Sequence, residues 1–160
     1  MYDIYSDSLI EGDWFKSLSD QFKDAKIYKI KNRNKNIKVI EDLLIYDKID
    51  IILLKNKKPI LTLEKTREVP TGHNVGQRMA RLVRSTELQI PTIYFFPFGS
   101  MKHGEYAGIC QMNARLLLAF QKIWKIHNCP IVALNWLSDE NGEVIQDGTE
   151  NNEISNLINI

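Results

Sequence analysis

The feature that most constrains this chain is a pair of short apolar runs, IDIILL at 49–54 and ILTLEKT at 60–66, separated only by KNKKP. Apolar runs of this length, bounded by turn residues, read as β-strands, and so short a connection allows only an antiparallel hairpin. Ile49–Leu54 is nearly all apolar, which predicts burial on both faces of a sheet. The two-residue period puts Asp50, Ile52 and Leu54 on one face. On the returning strand it puts Ile60, Thr62, Glu64 and Thr66 on one face, with Leu61, Leu63 and Lys65 on the other. If Leu54 pairs with Ile60 across a five-residue loop, Lys55–Pro59, Asp50 falls opposite Glu64, with Cβ atoms about 5 Å apart. Two carboxylates that close repel unless a proton or a cation lies between them. A one-residue slip would send the two acids to opposite faces.

The chain after the hairpin, VPTGHNVGQRMARLVR, reads as a strand stop followed by a helix capped by Thr71 or Asn74. Val75, Met79, Leu82 and Val83 form its apolar stripe. Gln77, Arg81 and Arg84 form a polar stripe at i, i+4 and i+7, with Arg78 beside it. Elsewhere the periodicity predicts a helix over 13–23 with Asp13 as its cap, strands over 26–31 and 37–46, a short strand at 93–96, a long helix over 105–126 and a last strand at 131–136. Residues 138–151 read as a polar loop within an acidic tail, 138–160. The expected fold is therefore α/β (α+β): one domain over 1–160, with a central mixed sheet flanked by helices. A length of 160 residues suits one domain with a real core.

Charge is unevenly spread. Lys26, Lys29, Lys31, Arg33, Lys35 and Lys38 occur without an intervening acid, and Lys55, Lys57 and Lys58 cluster at the hairpin turn. Beyond Lys125 there is no Lys or Arg, while six acids follow from Asp139 to Glu153. One part of the chain can face an anionic polymer and the tail cannot. No apolar run is long enough to span a membrane, and the acid-bearing N-terminus does not read as a secretory signal. Cys110, expected on an apolar helix face, and Cys129 read as two buried thiols in a reducing cytoplasm. His73, His103 and His127 lack the spacing of a metal motif, and 103–106 could reach DNA or simply cap the helix after it. No phosphate-binding loop, nucleophile elbow or dinucleotide fingerprint occurs.

Asp50 at the start of one strand, Glu64 on the next, and a following helix with Gln77 and arginines together resemble the PD-(D/E)XK nuclease superfamily. That group includes restriction endonucleases, junction resolvases and homing enzymes. The resemblance covers residues 46–84 in motif and 13–97 in order of elements. It implies a Mg²⁺ site (Mn²⁺ substituting) formed by Asp50, Glu64 and the backbone carbonyl of Lys65, with double-stranded DNA as substrate. It further implies a restriction-type endonuclease acting as a homodimer, joined through the long helix or through 97–105. Arg78, Arg81, Arg84 and the lysine turn Lys55, Lys57 and Lys58 are the expected DNA contacts, and Gln77 an active-site support. The family's lysine falls two residues after the Glu, where this chain has Thr66. The missing charge could come from Lys48, Arg78 or Arg81. Alternatively, Thr66 could orient the water with Glu68 nearby, or the chain could be a non-catalytic DNA-binding or assembly subunit.

Overall fold

The computed structural model describes residues 1–71, 74–104 and 107–159, with the side chains of Asn74 and Gln77 outside that description. The hairpin forms as β3 (Ile51–Lys55) and β4 (Lys58–Lys65). Its turn has two residues rather than five: Asn56 and Lys57 take φ of 52° and 65°, the left-handed pair that a tight hairpin turn requires. Lys55 then pairs with Lys58 and Leu54 with Pro59, and the register shifts by one before Leu53 meets Leu61. Ile60 is the extra residue of a β-bulge. The bulge cancels the offset between the two-residue turn and the expected five-residue loop. From Leu53 inward the register is the one that sets Asp50 against Glu64.

The sheet has six strands in the order β2-β1-β3-β4-β5-β8. They include β1 (Tyr2–Ser6), β2 (Lys26–Lys29), β5 (Thr92–Phe96) and β8 (Ile131–Asn135). β3 runs antiparallel to both β1 and β4, while β1–β2, β4–β5 and β5–β8 are parallel. The expected α/β class and mixed sheet therefore hold, but one edge differs. The neighbour of β3 is the N-terminal strand β1, not a strand at 37–46.

Residues 37–46 are largely helical, as α2 (Lys38–Leu43). The β-branched residues there suggested a strand, but Ile40 and Leu43 lie one turn apart and both are fully buried against Ile49, Ile52 and Leu54. Asn36 donates to the Glu41 carboxylate from both its backbone N–H and its side-chain amide, at 2.8 and 2.7 Å, which holds the first turn. The first helix is also displaced from 13–23. It is α1 (Leu9–Ser17), capped by Ser8, whose Oγ accepts the Glu11 N–H at 3.2 Å, and a short 3₁₀ turn follows at Asp20–Phe22. Gly12 lets α1 lie flat on the sheet, since a Cβ there would stand 2.4 Å from Ile27 Cγ2 and 2.7 Å from Ser6 Oγ.

The long helix expected from 105 begins later, as α4 (Arg115–His127). Before it, β6 (Gly99–Lys102) and β7 (Gly108–Gln111) form a separate two-stranded ribbon, so Cys110 lies on a strand and is only partly buried. Both cysteines are free thiols, and Cys129 is buried. The tail is not all loop: α5 (Thr149–Ile158) buries Ile154 completely.

Helices cover both faces of the sheet. Ile51, Leu53, Leu63, Ile93 and Phe95 pack against Phe15 of α1, Leu18 just after it and Ile154 of α5. On the opposite face, Ile52 and Leu54 meet α2. Tyr94 and Phe96 meet Leu82 of α3 (Asn74–Glu87) and Leu116 and Phe120 of α4. Each such side chain, fully buried, contributes about 1.5–3 kcal/mol. Among the described residues no helix is long and apolar enough to cross a membrane.

Candidate functional site

Asp50 sits one residue before β3 and Glu64 one residue before the end of β4, on the face covered by α3. The two acids extend the ladder by exchanging side chain for backbone. Asp50 N–H donates to Glu64 Oε1 at 3.0 Å, and Lys65 N–H donates to Asp50 Oδ2 at 2.9 Å. In an antiparallel strand the N–H and C=O of one residue leave on the same side, so the Lys65 carbonyl faces the same way as the N–H that Asp50 holds. The two remaining oxygens converge on one nitrogen: Arg81 Nη1 stands 2.9 Å from Glu64 Oε2 and 3.3 Å from Asp50 Oδ1. They are thus within about 6 Å of each other, near enough for one cation to draw them together. Arg81 Nε also donates to Asp47 Oδ2 at 2.8 Å. Of the three cations expected for this position, Arg81 is the one in contact with the acids.

Burial governs the electrostatics. Glu64 is 1% exposed, and desolvation, helped by the Asp50 charge, pushes its carboxyl up to about 8. Asp50 is also raised by burial, against the Lys65 N–H, Arg81 and Arg78. Burial works against the charge of Arg81, but Glu64 and Asp47 hold it above the ordinary arginine range. These shifts pull against each other at Glu64, since Arg81 favours its ionised form. The upward direction prevails because burial of Glu64 outweighs the pull of Arg81, with the Asp50 charge acting the same way as burial. The cluster is short of positive charge and attracts a proton or a cation.

Two further groups, Asp7 and Glu11, join this end of the sheet because β1 pairs with β3. Asp7 N–H donates to the Asp50 carbonyl at 2.9 Å, which brings the start of α1 to the acids. Asp7 pairs with Lys48, so that lysine is not on the Asp50–Glu64 pair. Glu11 is raised first by burial and then by the Asp50 charge. The Lys65 side chain leaves on the other face, as its position in the strand predicts, with Nζ 3.7 Å from the centre of the Trp14 ring. Burial lowers its pKa against the opposing pull of Glu11. Asp7, Glu11 and Asp47 were not among the expected site residues. Ser8–Glu11 has the spacing of a capping box, which explains the helix start without a functional role.

The other expected residues separate. Thr66 is buried and its Oγ1 accepts the Glu68 N–H at 3.1 Å, which closes a turn after β4. Arg84 is committed to the fold: Nε donates to the Asp42 carbonyl at 2.7 Å and Nη1 pairs with Glu87 at 2.9 Å. Lys55, Lys57 and Lys58 lie at the far end of the five-residue β3, roughly 17 Å along the strand from the acids. They form no part of this cluster. The Gln77 side chain, His73, Glu105 and Tyr106 lie outside the described residues. His103 pairs with Glu143 at 3.0 Å in the open, and His127 ends α4. Among the described residues no three His, Cys, Asp or Glu side chains converge as a ligand set. A cation here would take hard oxygen donors, Asp50, Glu64 and the Lys65 carbonyl, which fits Mg²⁺ or Mn²⁺.

No protein-family model, curated protein or solved structure matches this chain. Just beyond Thr66 the chain borders a cleft of about 510 Å³ whose walls include Arg67, Glu68, Ser100, Lys102, His103 and Glu143.

Proposed function

We propose that this protein is a Mg²⁺-dependent DNA endonuclease of the PD-(D/E)XK kind, hydrolysing phosphodiester bonds as a restriction-type enzyme in the cytoplasm. One observation carries the reading: Asp50 and Glu64 face each other across adjacent strands, with the Lys65 backbone between them and too little positive charge around them. Asp50, Glu64 and the Lys65 carbonyl would hold the ion. When bound, Mg²⁺ stabilises charge on phosphate oxygens and acidifies the attacking water. Arg81 supplies the fixed positive charge that the family places two residues after the glutamate, where this chain has Thr66. Double-stranded cutting calls for a homodimer. The test is plasmid cleavage with Mg²⁺ or Mn²⁺: Asp50→Ala and Glu64→Ala must each abolish it, and unchanged cleavage in either sinks the assignment.

The hold of Arg81 on both acids, with Thr66 in the lysine position, favours one second reading. This is a non-catalytic DNA-binding or assembly subunit in which the guanidinium permanently takes the place of the ion. Salt-dependent DNA binding without cleavage under any divalent cation would select it.

A further inference from the structure

Tyr94 is 1% exposed, and its hydroxyl is the buried side-chain polar atom without a hydrogen-bond partner among the described residues. Its ring is well placed: it lies 4.3 Å from Phe96 and 5.9 Å from Phe120 between centroids, in the apolar layer under α3 and α4. A phenylalanine would fill that position without leaving a polar atom bare, so the hydroxyl calls for an explanation. The β4–β5 register pairs Tyr94 with Glu64, which makes them neighbours on the same face. Neither Glu64 oxygen lacks a donor, since Asp50 N–H serves Oε1 and Arg81 serves Oε2. Burial raises the phenol far above neutrality, while the charges of Arg78, Glu64, Asp50 and Arg81 all reach it, so it stays an O–H donor beside the acid cluster.

Arg78 stands one helical turn before Arg81 on α3, hence on the same side of the helix. Arg81 is engaged by Asp47 through Nε and by Asp50 and Glu64 through Nη1. Arg78 makes no hydrogen bond or ion pair among the described residues, yet its charge acts on both Asp50 and Tyr94. A guanidinium and a buried hydroxyl donor, both lacking an acceptor among the described residues, present the chemistry that binds a phosphate oxygen.

We infer that Tyr94 Oη and Arg78 form a phosphate-binding subsite beside the Asp50–Glu64 pair, the hydroxyl donating to one phosphate oxygen and the guanidinium facing another. As a subsite for a DNA phosphate it rests on the phosphodiester reading above; as an anion site it does not. The subsite explains why a tyrosine stands where packing alone asks for phenylalanine. It also assigns the two arginines of α3 different tasks, Arg81 toward the acids and Arg78 toward the substrate.

The test uses the full chain and two probes, inorganic phosphate and a short DNA duplex held with Ca²⁺. Binding is followed by NMR at the Tyr94 ring and the Arg78 Nε–H, and by fluorescence anisotropy of the duplex. Both signals should move with phosphate. Tyr94→Phe and Arg78→Met should each weaken both probes by about tenfold, while Tyr94→Phe melts no lower than the parent chain. A parent chain unresponsive to phosphate, or variants that bind both probes as tightly as the parent, overturns the subsite. If the protein cuts DNA with Mg²⁺ while Tyr94→Phe binds normally, only the subsite falls. If it cuts nothing but binds phosphate through Tyr94, the subsite stands and the nuclease reading falls.

Discussion

Arg81 reaches Glu64 at 2.9 Å through the same nitrogen that lies 3.3 Å from Asp50, so one guanidinium on α3 closes over both acids of the central hairpin. Removing it should leave the acids facing each other with nothing between them. Arg81→Met is expected to cost about 1–2 kcal/mol more at pH 9 than at pH 5, since Glu64 is fully buried and ionises only above about 8. The loss should shrink at pH 5, where a neutral Glu64 needs no partner. Urea unfolding at the two pH values measures this, and equal losses at both would show that Arg81 acts by packing rather than charge.

The raised Glu64 carboxyl makes stability depend on pH in a stated direction. Its ordinary value is 4.5 and its folded value about 8, so between these the folded chain binds more protons than the unfolded one. Stability therefore falls as pH rises from about 4.5 through about 8. Asp50, also raised, adds to the same slope. Glu64→Gln should flatten the profile in a plot of urea midpoint against pH. A variant profile as steep as the parent's would place the titrating group elsewhere.

Metal should act on the same charges. With Mg²⁺ or Mn²⁺ present, the slope between about pH 4.5 and 8 should weaken, because a bound cation favours the ionised acids. Asp50→Asn and Glu64→Gln should each lower DNA cleavage by about 100-fold or more, the equivalent of several kcal/mol of charge stabilisation. Cleavage rates with calorimetric metal titration check both. Metal binding that survives both substitutions would move the site.

The bulge gives a prediction specific to this hairpin. Deleting Ile60 should leave Leu53 opposite Leu61, and so leave Asp50 opposite Glu64, because Ile60 is the unpaired residue. Deleting Thr62 should slip Glu64 to the other face. Far-ultraviolet circular dichroism with a Mg²⁺ titration distinguishes them: the first variant should keep fold and metal response, the second should lose the metal response.

Gly12 is the remaining point of tight fit. Gly12→Ala would force a Cβ to 2.4 Å from Ile27 Cγ2, so α1 must lift from the sheet. The expected cost is about 1–3 kcal/mol by urea unfolding. A change below about 0.5 kcal/mol would mean that Ile27 moves aside freely.

Much of the hairpin was legible in its residues. The alternation in ILTLEKT separates Glu64 from Lys65, and the structure keeps them on opposite faces for that reason. The strands near 93–96 and 131–136 were legible too, because short apolar runs bounded by Pro or Gly have few other uses. Residues 37–46 misled because β-branched content is a weak preference, while the one-turn spacing of Ile40 and Leu43 against a buried sheet face decided the helix. The N-terminal strand escaped because YDIYS has only Ile4 as an aliphatic residue. Its place beside β3 depends on pairing with residues about fifty positions away.

By itself the sequence determined two strands, their polarity and the two acids that interrupt them, because a two-residue period and a short connection are local properties. Tertiary structure decided the rest. A bulge at Ile60 corrected the register, β1 brought Asp7 and Glu11 to the acids, and α3 chose Arg81 over Lys48 as their partner. It also set Tyr94 beside Glu64, its hydroxyl without a partner among the described residues. These are contacts between segments far apart in the chain, and they follow from which faces are buried together rather than from any spacing along it.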